Sequence, residues 1–132
     1  MYVGDSSNTY TGNFIKAQKA IEKKFGNQVE FIPMFNVLEG NCENSLQILV
    51  DKKCDIIFAT SYGYGDMAKE FAKKYPNIQF CHATGDNANI EPFVPNYHTF
   101  MGRIYEGRYT AGVVAGLKLQ ELIDKGQIKK ED

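Results

Sequence analysis

The residues best suited to chemistry are gathered in Thr60-Ser61-Tyr62-Gly63-Tyr64-Gly65-Asp66. This run holds hydroxyls, phenol rings, glycines and a carboxylate. Rings stack on a flat guest, while hydroxyls and a carboxylate exchange hydrogen bonds with its edges. No nucleophile stands beside a base with a third group to orient it, which covalent or acid–base catalysis needs. The chemistry expected is recognition of a neutral, ring-bearing polar ligand. Ser61, Tyr62, Gly63, Tyr64 and Asp66 are its candidate contacts.

Gly63-Tyr64-Gly65-Asp66-Met67-Ala68 also fits G-x-G-x-x-A, with Asp86 following where a ribose-binding acid would stand in a dinucleotide fold. Against that reading, Asp66 would set a negative charge where a pyrophosphate belongs. The plainer alternative is a glycine turn in which Asp66 complements the positive end of a helix. Both stay open beside the uncharged-ligand reading.

A second polar turn, Gly4 to Thr11, carries Ser7, Asn8 and Tyr10. Asn8 can bond both edges of an amide-like base or cap the following helix. Tyr10 can stack. Cys81 and His82 are adjacent on an expected strand, so their side chains point to opposite faces and form no nucleophile–base pair. Neither His82 nor His98 has ligand-like neighbours in sequence, and Cys42, Cys54 and Cys81 show no metal-binding spacing. No metal, no cofactor and no catalysis are expected.

These turns need a scaffold that brings them together. Asp55 to Ala59 reads as a buried strand, and the helix after it shows Met67, Ala68, Phe71, Ala72 and Tyr75 on one side. Tyr2-Val3 is the end of a first strand that is too short to be central, which implies a strand starting upstream. A helix over residues 12–25 follows, with Phe14, Ala17, Ile21 and Phe25 on one face. Val29 to Val37 reads as a second strand, placed at a sheet edge by Pro33. A helix over 42–53 follows the Glu39-Gly40-Asn41 turn. Strands over 78–81 and 97–101 and a long helix over 103–125 complete the chain.

Alternating strands and helices imply an α/β fold: a three-layer α-β-α arrangement on a mostly parallel sheet, in strand order 2-1-3-4-5. The whole chain, 1–132, is expected to be a single lobe. In such sheets the strand-to-helix turns at the carboxyl edge hold ligands. Gly107, Gly112 and Gly116 in the last helix imply close packing there.

The chain has 132 residues, a net charge of -1 and 23% charged residues. That length suits one core, and that charge gives no electrostatic case for nucleic acid or an anionic membrane. No run reaches the ~20 apolar residues of a membrane span. No signal peptide is visible at Met1-Tyr2-Val3.

Several segments together resemble one family. They are Tyr2-Val3-Gly4, Ala20-Ile21-Glu22-Lys23-Lys24-Phe25-Gly26, residues 55–64, Phe80-Cys81-His82-Ala83-Thr84-Gly85 and, most specifically, residues 102–116. The resemblance is to the basic membrane lipoproteins, the purine-nucleoside-binding components of ABC transporters, and to the first of that family's two lobes. It implies one lobe of a type I periplasmic-binding-protein fold, lipid-anchored outside the membrane. A nucleoside-like ligand would be held there without catalysis, and an ABC permease would be the partner. Tyr10 takes the place of the family's aromatic after the first turn. Ser7 or Asn8 stands where the family has an aspartate. A lobe without its mate would expose apolar surface and self-associate. The alternatives on the same fold are a small-molecule-sensing regulator and a nucleotide- or flavin-dependent enzyme.

Overall fold

The computed structural model describes residues 1–129 and divides the chain into two compact units, Met1–Phe100 and the part from Met101 onward. In the first unit, α1 (Thr9–Phe25), α2 (Cys42–Asp51) and α3 (Gly65–Lys74) accompany β1 (Ile56–Ala59), β2 (Gln79–Ala83) and β3 (Tyr97–Phe100). The three strands are parallel in the order β1-β2-β3, with Ile57, Phe80 and Tyr97 in register across the sheet.

The alternation expected of strands decides the core. Ile57, Ala59, Phe80, His82 and Tyr97 point to one face and are buried. The hydrophobic cluster there takes Leu46 and Leu49 from α2 and Ala68, Phe71 and Ala72 from α3. Leu46, Ala68 and Phe80 are wholly removed from solvent. On the other face, Ile56, Phe58 and Phe100 stay about half exposed, and Phe58 meets Phe100 edge to face at 6.5 Å.

Two of the five expected strands are not regular. Met1 is nonetheless bonded as a parallel neighbour of β1: its amine donates to the Phe58 carbonyl and its carbonyl accepts from Thr60 N. The segment over 29–37 forms no assigned strand. Pro33 has no N–H to give, and Asn36 sits at φ 53°, off the extended path. It still lies beside the first segment, since Tyr2 N donates to the Met34 carbonyl and Val37 N to the Tyr2 carbonyl. The spatial order therefore follows 2-1-3-4-5, with the two outer segments held by isolated bonds.

α1 starts three residues earlier than expected because Asn8 caps it. Its expected apolar face is only partly covered: Ile21 and Phe25 remain exposed, and Thr11 is its buried residue. The end of α3 is held from outside the helix. Asn96, just before β3, donates its amide to the carbonyls of Ala72, Tyr75 and Ile78 at 2.9, 3.1 and 2.7 Å.

The second unit is built on α4 (Ile104–Asp124). Its apolar residues, among them Tyr109, Val113, Val114 and Leu117, are exposed, and none of its residues is buried. Within this unit, a Cβ added at Gly107, Gly112 or Gly116 would meet nothing within 4 Å. Arg103 does pair with Glu106, at 3.2 Å. No described helix is long and apolar enough to cross a membrane.

Candidate functional site

The site is built where β1 and β2 end. β1 gives way at Thr60, whose hydroxyl donates to the Met1 carbonyl at 2.9 Å, and the chain then turns through Ser61-Tyr62-Gly63 into α3. Glu39 shapes that turn. One of its carboxylate oxygens accepts from the Ser61 hydroxyl at 2.7 Å and from Gly63 N–H at 3.1 Å. A Cβ on Gly63 would stand 2.2 Å from the Glu39 carboxyl carbon, so the absence of a side chain lets the carboxylate sit there. Glu39 was not among the expected residues. Its Glu-Gly-Asn turn was legible, but the contact joins residues 22 apart and crosses from one strand end to another.

From below, the turn is held by His82. Its Nε2 lies 2.9 Å from the Ser61 carbonyl, which only accepts, so Nε2 carries a proton. Nδ1 lies 3.0 Å from the Tyr97 hydroxyl. Gly65 and Gly85 press on the imidazole; a Cβ would stand 2.6 Å and 2.2 Å from ring atoms. The Tyr97 hydroxyl donates toward Asn87 Oδ1 at 2.8 Å, with the Gly65 carbonyl at 3.3 Å. Asn87 in turn donates to Asp66 Oδ1 at 3.4 Å. Lys69 steadies the same loop by donating to the carbonyls of Asn87 and Ile90, both at 2.8 Å. Burial, and then the negative charges of Asp66 and Asp86, push the Tyr97 phenol up to about 12.

The expected contacts fall into three groups. Tyr62 is 66% exposed, and its ring is free to meet a ligand. Ser61, Gly63 and Asp66 lie on the same rim. Tyr64 is different: it is 0% exposed, and its hydroxyl donates to the Val37 carbonyl at 2.6 Å. That is a correction to the expected contact. The turn is tightened into a single 3-10 turn, which drives the second phenol inward while the first stays out. Burial pushes the Tyr64 pKa up strongly.

At the first turn, Asn8 spends its side-chain oxygen on Thr11 N at 3.0 Å, the capping alternative. Ser7 donates both its hydroxyl and its N–H to Asp5, at 2.6 and 2.9 Å, which holds the Asp5 carboxyl below its usual range. Tyr10 is 38% exposed and packs edge to face on Phe14 at 5.0 Å. Burial raises its pKa, opposed in part by the nearby hydroxyl of Thr84, the residue that follows β2. Its proximity to Thr84 puts Tyr10 near the carboxyl end of β2, on the edge that also bears Ser61 and Tyr62. Thr84 itself adopts φ 65°, a left-handed conformation uncommon for a branched residue.

The rim therefore offers two exposed phenols, the Thr84 and Ser61 hydroxyls, and the Asp66 carboxylate. Gly63 N–H, which an anion would need, is already taken by Glu39, and the first turn of α3 carries Asp66. Both features disfavour a phosphate at the place a dinucleotide would use. A shallow open depression of about 480 Å³ lies elsewhere, at the start of α4, among Gly102, Arg103, Ile104, Gly107, Arg108 and Ala111. It has few converging polar groups and belongs to the second unit. Among the described residues, no three His, Cys, Asp or Glu side chains group as a metal would require.

The family model for PnrA-like ABC transporter substrate-binding proteins, Bmp, matches residues 3–127. The chain belongs to the Bmp family. The match spans both the rim residues and α4, as the resemblance in the sequence implied. Among Bmp relatives, a purine-binding protein of Brucella abortus is 36% identical over 113 residues, covering 85% of this chain and 30% of its own length. A protein of Haloferax volcanii named as an ABC transporter glucose-binding protein is 43% identical over 63 residues, covering 48% of this chain and 15% of that protein. The chain thus spans about a third or less of the curated relatives it matches. The α/β fold with a parallel sheet agrees with a partial periplasmic-binding-protein lobe.

Proposed function

We propose that this chain supplies one wall of the ligand cleft of an extracytoplasmic solute-binding protein serving an ABC transporter. Its guest is an uncharged, ring-bearing molecule of the nucleoside kind, held and released without chemical change. The observation that carries the reading is the exposed Tyr62 ring beside Ser61 and Asp66 on one carboxyl edge, with Tyr10 close to Thr84 at the end of β2. A phenol worth ~0.5–1.5 kcal/mol in stacking and a few neutral hydrogen bonds suit a base-like ring.

Support for a non-catalytic role comes from what the side chains are doing. Ser61 is bonded to Glu39, and His82 to Ser61 and Tyr97, so neither hydroxyl nor imidazole is arranged as an activated nucleophile or its base. The single-lobe organisation over 1–132, the lipid anchor, the permease partner and self-association belong to this proposal. A one-sided rim encloses a guest poorly, so affinity through this chain alone should be weak. Of the relatives, one is named for purine and one for glucose, which makes nucleosides and a hexose the two classes to separate.

Calorimetry tests this reading with adenosine, uridine, the corresponding monophosphates and glucose. Heat with a nucleoside and none with its monophosphate is the expected pattern. Binding of glucose alone would replace the ligand class, and preference for the monophosphate would remove the uncharged-guest reading.

A further inference from the structure

The line from His82 to Asp66 holds one proton too few if the imidazole is neutral. His82 Nε2 must donate to the Ser61 carbonyl. The Tyr97 hydroxyl has one proton and faces three acceptors: His82 Nδ1, when that nitrogen is bare, Asn87 Oδ1 and the Gly65 carbonyl. Suppose it donates to Asn87 Oδ1, at 2.8 Å. Then Nδ1 must carry a proton to satisfy the Tyr97 oxygen, and Asn87 Nδ2 is aimed at Asp66. Suppose instead that it donates to Nδ1. Then two oxygens face each other at 2.8 Å unless the Asn87 amide turns over. The turned amide donates to Tyr97, but its oxygen then faces the Asp66 carboxylate.

We propose that His82 is a positioning residue of the ligand rim: through Tyr97 and Asn87 it sets whether the Asp66 carboxylate is held by the Asn87 amide or left to accept from a ligand. With a protonated ring, the chain of donors runs His82 to Tyr97 to Asn87 to Asp66. With a neutral ring, it runs Asn87 to Tyr97 to His82, and Asp66 loses its protein donor. A ligand N–H or O–H then satisfies Asp66. The glycines pack closely on the ring, whose nitrogens meet only Tyr97 and Ser61 among the described residues, and Lys69 fixes the Asn87 backbone so that the amide turns in place. The charged groups around the line are Asp66 and Lys69 of α3, Asp86 of the loop after β2, and Glu39 across the Ser61 turn. Only the ligand half of the inference rests on the reading of Asp66 as a contact.

The test follows the imidazole nitrogens of His82 by NMR at one fixed pH near neutrality, in the whole chain, because each nitrogen's signal reports whether it carries a proton. Asp66→Asn supplies an amide that donates to the turned Asn87 oxygen, so it favours the neutral ring. At one fixed pH the Nδ1 signal should therefore move toward that of an unprotonated ring nitrogen. With the line cut by Asn87→Ala, the same Asp66 substitution should produce a distinctly smaller change, the through-space part alone. Tyr97→Phe is the second cut, should Asn87→Ala disturb the loop. No response to Asp66→Asn, or an equal response with and without Asn87, overturns the inference.

Saturating adenosine should move the Nδ1 signal in the same direction as Asp66→Asn does. Bound adenosine that leaves it unmoved removes the ligand half. If adenosine gives no heat at all, the binding proposal fails, while the Asp66→Asn arm still decides whether the line exists.

Discussion

The Glu39 carboxylate accepts from Gly63 N–H at 3.1 Å and from the Ser61 hydroxyl at 2.7 Å with the same oxygen. A group at the end of one outer segment thereby latches the turn that presents Tyr62. Glu39→Ala should cost about 1 kcal/mol in urea unfolding, since the latch is exposed, and should loosen Tyr62. Gly63→Ala should cost a similar amount and no more. The atoms it meets are the tip of a flexible side chain, which swings aside and gives up the same bonds.

Gly85 makes the contrasting case. A Cβ there would stand 2.2 Å from His82 Nδ1 and 2.7 Å from Thr99 Cγ2, and the ring is buried and bonded at both nitrogens. Nothing nearby can yield cheaply. Gly85→Ala should destabilise by about 1–3 kcal/mol or more. Equal midpoints for Gly85→Ala and the parent protein would mean that the ring is less tightly seated than the geometry requires.

Alkaline unfolding should be governed in part by Tyr97. Its phenol is raised from an ordinary value of 10.0 to about 12 by burial and by Asp66 and Asp86. An acid whose folded pKa is raised favours the folded state fully below the unfolded value. Its contribution is lost as pH rises from 10 through about 12. Unfolding free energy should decline across that window, and Tyr97→Phe should flatten the decline. A profile identical in both proteins would contradict this.

Thr11 is the reverse of a stabilising contact. It is 0% exposed, yet its hydroxyl has no hydrogen-bond partner among the described residues. Thr11→Val removes the orphaned hydroxyl while preserving shape, so it should be neutral or raise stability by up to about 1 kcal/mol. A loss on that scale, read from thermal or urea unfolding, would show that the hydroxyl is bonded after all.

How much of this was legible beforehand depended on whether the signal was local. The strand over 55–59 read as buried throughout, and the break at Thr60 placed the turn; in the structure Ile57 and Ala59 are buried, while Ile56 and Phe58 stay about half exposed on the other face. Asn8 was open between cap and contact, and the short distance to Thr11 N resolved it. Tyr62 and Tyr64 looked equivalent because nothing local separates them; the tight turn does, by sending one ring outward and the other into the core. Glu39, Thr84 and Asn87 were invisible as site residues since each reaches the rim only through the sheet's topology. The segment over 29–37 has strand-like composition, but Pro33 and the positive φ of Asn36 prevent a regular ladder. The long helix expected over 103–125 is α4 (Ile104–Asp124), whose span was legible from its own composition.

The most direct measurement is residue-by-residue NMR mapping of a bound nucleoside. Perturbations should concentrate at Ser61, Tyr62, Gly63, Asp66 and Thr84, with the Tyr10 ring protons close to the ligand. Perturbations gathered instead at the opposite strand ends, at Asp55, Gln79 and Asn96, would contradict a ligand rim at the carboxyl edge of the sheet.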